Sequence, residues 1–203
     1  MRITRTFFCS ILLASSLLIA GCGRKSKEKL YRELLQDAAQ LQAEGNLASE
    51  ESLDGVIDRF DLFITEHPKN AHVEELRQKR GVLADQRDKC RLFRIRNQYE
   101  LITSDTGHSL EEVLKNTHNL LVILKTSEAQ TLLNKYPDAK VYEPDLLEFR
   151  DEIQAIEAIA TSSYSSLKEF NEEVEARQSR FEQSQFSSIP TLWEKHTDAK
   201  RKR

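Results

Sequence analysis

The 203-residue chain carries 30 Lys and Arg against 33 Asp and Glu, a net charge near −3. That acidic balance argues against a nucleic-acid partner, which would ask for a broad basic face. With 31% charged residues, six Gly and four Pro, the composition suits helices better than strands and turns.

The first elements in the chain are those of an export signal. Arg2 and Arg5 open it, an apolar run extends from Phe7 to Ala20, and Ile19-Ala20-Gly21-Cys22 closes it. A positive start, a short apolar core and small residues before a cut describe a secretory signal. The run is shorter than the roughly 20 residues a spanning helix takes. Ile19-Ala20-Gly21-Cys22 resembles the bacterial lipobox. The resemblance implies a signal peptide over 1–21, cleavage before Cys22, and acylation of that Cys as a membrane anchor, several acyl chains exceeding what stable attachment requires. Gly23, where an inner-membrane retention mark would have Asp, points to an outer-membrane site facing the periplasm, the inner membrane remaining the alternative.

Cys9 leaves with the signal and Cys22 is acylated, so Cys90 is left as a possible free thiol. It stands among cationic residues, Arg87, Lys89 and Arg91, which would lower its pKa; the alternative is a small apolar residue on a buried helical face. From Cys22 onward 28 basic residues face 33 acidic ones, a net charge near −5.

Residues 22–28 read as a short membrane tether and 29–184 as a helical repeat or bundle domain. Leu30, Leu34, Ala38 and Leu41 predict a first helix that stops at Gly45. Leu53, Val56, Ile57, Phe60, Phe63 and Ile64 predict a second, closed by His67-Pro68 because proline lacks the amide donor. Asn70 caps a third, striped by Val73, Leu76, Leu83 and Cys90 and running to about Leu101, with Gly81 a candidate bend. Ser104–Gly107 is a turn. Ser109-Leu-Glu-Glu112 has capping-box spacing before Leu110, Val113, Leu120, Leu121 and Leu124, and Ser127-Glu-Ala-Gln130 repeats that spacing before Tyr136-Pro137.

Beyond Pro144, apolar residues from Leu146 to Phe181 alternate by threes and fours. That period predicts one long heptad-patterned helix, paired within the chain against the third helix or, alternatively, with a second copy in a homo-oligomer. Residues 185–203, ending in Lys200-Arg-Lys-Arg203, read as a flexible basic tail in which Trp193 either docks back on the helices or inserts into a partner. The expected fold class is all-α, built of antiparallel helical hairpins.

Phe60–Ala71 and Gln130–Ala139 look alike around Pro68 and Pro137, which lie 69 positions apart, about twice the tetratricopeptide period. An aromatic or His, then Pro, then a new amphipathic helix resembles that family's repeat turn, especially the divergent repeats of outer-membrane barrel-assembly lipoproteins. The family's Trp-x-x-Leu-Gly-x-x-Tyr opening is absent. The resemblance implies a scaffold that binds other envelope proteins; the heptad series implies instead a structural lipoprotein spacing membrane and cell wall.

No chemistry is expected. The five His form no His-Glu-x-x-His or other tight metal pair; no hydroxyl or thiol sits on a nucleophile turn, and no glycine-rich loop can cradle phosphate. Adjacent carboxylates such as Glu111-Glu112 point about 100° apart on a helix. The expectation is a protein with no cofactor, metal or catalytic residue. Basic residues from Arg77 to Arg96, interrupted by Asp85 and Asp88, read as a charged helical surface.

Overall fold

The computed structural model describes residues 26–202, and the lipobox residues Ile19, Ala20, Gly21 and Cys22 lie outside them. The described residues are all-α: eight α-helices, two 3-10 turns and no strand. None of these helices is long and apolar enough to cross a membrane. The chain divides after Arg87 into two compact units, where one helical domain over 29–184 was expected.

In the first unit, Ser26 caps α1 (Lys27–Glu44) through the Lys29 amide, and Tyr31, Leu34, Ala38 and Leu41 form its buried stripe. The helix stops where expected, because Gly45 takes φ +57°, a conformation open to glycine and costly to other residues. After a 3-10 turn, Ser49 caps α2 (Glu50–Glu66), which buries Leu53, Val56, Ile57, Phe60 and Phe63. These faces pack on one another, and α3 (Val73–Thr103) begins in this unit with Val73, Leu76 and Leu83 buried. Gln86 of α3 donates to the carbonyls of Leu41 and Gly45 at 2.6 and 2.9 Å, satisfying the Leu41 acceptor in the last turn of α1 and joining the Ala48 amide on that of Gly45.

α3 runs unbroken through Gly81, the candidate bend. Among its cations, Arg80 makes a forked pair with Asp61 and Arg87 bonds Asp54 at 2.9 Å; Arg59 of α2 likewise pairs with Asp37 of α1. Arg80 and Arg87 are thus answered by acids on the neighbouring helix, while Arg77 and Arg96 pair with Glu74 and Glu100 of α3 itself. Exposed pairs of this kind are worth about 0–1 kcal/mol each and serve register more than stability.

The second unit takes the end of α3, then α4 (Leu110–Leu124), α5 (Ser127–Lys135), a 3-10 turn (Pro137–Val141), α6 (Tyr142–Thr161), α7 (Leu167–Glu182) and α8 (Ser188–Arg201). α5 starts one residue earlier than its expected capping motif: Thr126, not Ser127, accepts from the Ala129 amide, and Gln130 turns back to the Leu124 carbonyl. The Ser109–Glu112 capping box forms as read, and Pro144 lies in the first turn of α6.

The long C-terminal helix does not exist as one element. It breaks at Ser162–Ser166, where hydroxyls compete with the helix for backbone partners: Ser162 Oγ bonds the Ala158 carbonyl and Ser166 caps α7 through the Glu169 amide. Most of its heptad seam is buried inside the chain, with Leu146, Phe149, Ile153 and Ile156 on α6 and Phe170, Val174 and Phe181 on α7, while Leu167 is exposed. Nor is α3 its main partner: α6 packs along α4 and α8, meeting α3 through Tyr99, whose hydroxyl donates to Asp145 at 3.1 Å.

Of the segment 185–203, expected as a flexible basic tail, Ser188–Arg201 is helical. α8 buries Ile189, Leu192 and Trp193 in the same cluster as Phe149, Ile153 and Phe181. Lys200 is tied in as well: it donates to the carbonyls of Ala160 and Ser162 at 3.0 and 2.6 Å, closing the C-terminus of α6 where a cation also meets the helix dipole favourably.

Candidate functional site

The second unit carries a groove of about 640 Å³ between the end of α3, the Ser104–His108 turn and α4, within the range of roughly 300–1,000 Å³ usual for ligand sites. Its geometry is built from local rules. α3 ends in two hydroxyl back-bonds, Thr103 to the Tyr99 carbonyl and Ser104 to the Glu100 carbonyl. Asp105 then folds the turn: its Oδ1 accepts from the amides of Gly107 at 2.9 Å and His108 at 3.2 Å, and its Oδ2 meets His108 Nδ1 at 2.5 Å. Burial alone would raise the Asp105 pKa, but these bonds outweigh it and hold the carboxyl below its ordinary value. Ser109 opens α4 immediately after.

On α4, Val113, Asn116, Leu120 and Ile123 recur by threes and fours and share the groove face. Ile102, Val113 and Leu120 line it as buried or half-buried apolar residues, while Leu101 and Ile123 stand 70% and 42% exposed. The polar lining is mostly neutral, with the amides of Gln98, Asn116 and Asn119 prominent.

The turn is braced from behind by α8. Ser188 Oγ donates to the Thr103 carbonyl at 2.5 Å, and Lys195 Nζ to the Thr106 carbonyl at 3.2 Å. Sequence reading missed this support entirely, because the link between Thr103 and Ser188 spans 85 positions and leaves no local signal.

The two turns singled out by their prolines do share a conformation. His67 and Tyr136 are both helix C-caps with extended φ, −131° and −121°. Their amides close on Phe63 and Leu132, both at 2.9 Å, and their carbonyls accept from Asn70 at 2.9 Å and Ala139 at 3.0 Å. Past the prolines the two turns diverge: after Pro68, Asn70 Oδ1 caps the His72 amide and α3 begins, whereas Pro137 opens a 3-10 turn.

The histidines disperse. His72 stacks on Tyr31 at 3.9 Å between ring centroids and lies 3.6 Å from Glu28; His67 packs edge-on against Phe63. The Tyr31 hydroxyl donates to Glu75 at 2.5 Å, and that bond, with burial, pushes its pKa to about 12. His108 belongs to the groove turn, and His196 has its Nε2 buried with no hydrogen-bond partner among the described residues. Among those residues no group of three His, Cys, Asp or Glu is placed to hold a metal ion. Cys90 is 4% exposed on the stripe of Leu76 and Leu83.

No family model, curated protein or solved structure matches the chain.

Proposed function

We propose that this chain is a lipid-anchored, periplasm-facing helical scaffold that binds other cell-envelope proteins. The observation that carries the binding half is the groove between α3 and α4, where exposed Leu101 and Ile123 flank half-buried Ile102 over buried Val113 and Leu120 on a capped frame. The anchoring half rests on the sequence Ile19-Ala20-Gly21-Cys22 behind a charged and apolar leader. The common conformation at Pro68 and Pro137 supports reading the hairpins as divergent tetratricopeptide-like repeats. Against a regular array stand the 31-residue α3 and the 3-10 turn before α6. Leu146, Phe149, Ile153, Ile156, Phe170, Val174 and Phe181 of the heptad series are packed within the chain, which favours the scaffold reading over self-association, while Leu167 of the same series stands exposed.

The reading assigns a holding task, with no catalytic step and no cofactor. Two measurements test it. Labelled fatty acid should be incorporated into the chain and lost in Cys22→Ser; labelling that persists refutes the anchor. Photo-crosslinkers at positions 101 and 123 of the anchored chain should capture envelope proteins that crosslinkers at exposed positions 111 and 128 do not. Identical capture profiles would remove the scaffold reading.

A further inference from the structure

Deepening the anchoring half of the scaffold reading, on which it rests, we infer that the tether end of the first unit is a second membrane contact, a basic face for anionic lipid headgroups. The hairpins bring three places together there. Tyr31 of α1 stacks on His72 of the α2–α3 turn, its hydroxyl bonds Glu75 of α3, and His72 lies 3.6 Å from Glu28. Lys69, three residues before His72 in that turn, thereby joins Lys27 and Lys29 at the end where the tether enters. All three lysines are exposed, and no acid among the described residues pairs with their ammonium groups. Elsewhere in the unit Arg59, Arg80 and Arg87 are answered by Asp37, Asp61 and Asp54.

Charge and reach select the partner. Residues 24–33 and 66–77 hold seven Lys and Arg against five Asp and Glu, in a chain whose net charge is near −5 from Cys22 onward. Three of those acids are already engaged: Glu28 lies against Arg32 and His72, Glu74 pairs with Arg77, and Glu75 accepts from Tyr31. Five peptide steps separate Lys27 from Cys22; at about 3.6 Å or less each, they keep it within about 18 Å of the lipid-bearing residue. The field of an anionic surface decays over about 8 Å at physiological ionic strength, so Lys27 meets it whenever the tether is short of about half its full reach. The anchor also holds headgroups beside this end at high effective concentration. A soluble acidic protein would have to displace them.

The test uses the full-length chain as cells process it, reconstituted in vesicles of phosphatidylcholine alone or with about 30% phosphatidylglycerol. An amine-reactive reagent, read by mass spectrometry, reports each lysine. Lys27, Lys29 and Lys69 should react about threefold more slowly in the anionic vesicles. The difference should vanish in about 1 M salt, where the field reaches only about 3 Å. Lys115 and Lys125 of α4, exposed likewise, should react alike in both vesicles. In Lys29→Glu/Lys69→Glu, with the helical circular dichroism of the parent, Lys27 should lose most of its protection. Equal rates in the two vesicles, slowing that extends equally to Lys115 and Lys125, or a Lys27 indifferent to the double variant overturns the inference. A chain that takes fatty-acid label but shows no such slowing keeps the anchor and loses the headgroup contact. A chain that shows the slowing with no label on Cys22 loses the anchor reading and keeps the contact.

Discussion

Trp193 of α8 stacks on Phe181 of α7 with ring centroids 4.5 Å apart and planes 26° from parallel. The contact joins the segment after residue 185 to the α6/α7 core, and Trp193 is only 5% exposed. Trp193→Ala should therefore destabilise the second unit by about 3–5 kcal/mol, the usual cost of a large aromatic truncated in a core. Because this is the only Trp in the chain, its emission in the parent reports docking of α8. Blue-shifted emission that moves red together with the loss of helical signal in urea is the expected result. Emission already at the solvent-exposed wavelength in the native state would show that α8 is not docked.

Glu152 is 5% exposed on α6, and Ser184 Oγ donates to its Oε2 at 2.6 Å. Burial raises its pKa, opposed by the Ser184 bond. A carboxyl raised on folding favours the native state below its unfolded pKa near 4.5, and that contribution is lost as pH rises through the folded value. Glu152→Gln keeps an acceptor for Ser184 and removes the charge. The variant should be more stable than the parent at about pH 7 to 8, with the difference shrinking towards about pH 4. Urea titrations across that range check the sign; a parent that is the more stable at the alkaline end contradicts it.

Asp105 carries the opposite sign. Its lowered pKa contributes stability that is present above the unfolded value near 3.8 and is lost as pH falls through the folded value. Asp105→Asn keeps Oδ1 for the amides of Gly107 and His108, whereas Asp105→Ala leaves both amides without it. The Ala variant should cost about 1–2 kcal/mol, the scale of a lost cap, and the Asn variant less. Hydrogen exchange at Gly107 and His108 should speed up most in the Ala variant; equal exchange in all three chains would remove Asp105 from the turn's support.

Gly55 and Gly81 both sit exposed in helix interiors, and a Cβ at either would meet nothing within 4 Å. Gly55→Ala and Gly81→Ala should each stabilise by about 0.5–1 kcal/mol, since Ala confines the unfolded chain more and favours the helix. Thermal melts of the two single variants and the double measure this. A fall in melting temperature for Gly81→Ala would show that the glycine is required there.

Most of the helical register was readable from residues close in sequence. The stripes of α1, α2 and the start of α3, the Gly45 stop, the His67-Pro68 end and the Ser109–Glu112 box all act over one or two turns, where spacing and capping chemistry decide the outcome. The break after Thr161 also had a local mark. Ser166-Leu-Lys-Glu169 has the same capping spacing as Ser109–Glu112, and Ser165 bonds Glu169 through both its amide and hydroxyl. The apolar period on either side concealed it, because α6 and α7 each carry part of the same heptad phase.

By itself, the amino-acid sequence determined the all-α class, the phase of most buried stripes and the identity of the helix stops, since hydrophobic periodicity and caps are local properties of the chain. Tertiary structure alone decided that the heptad seam faces α4 and α8 within the same molecule and that Ser188–Arg201 becomes a core helix. It also decided that Ser188 and Lys195 hold the turn flooring the α3/α4 groove. A marginal 14-residue helix such as α8 gains most of its stability from the apolar face it buries. That face has a partner only once α6 and α7 have folded back on each other, so short-range spacing carried no sign of it.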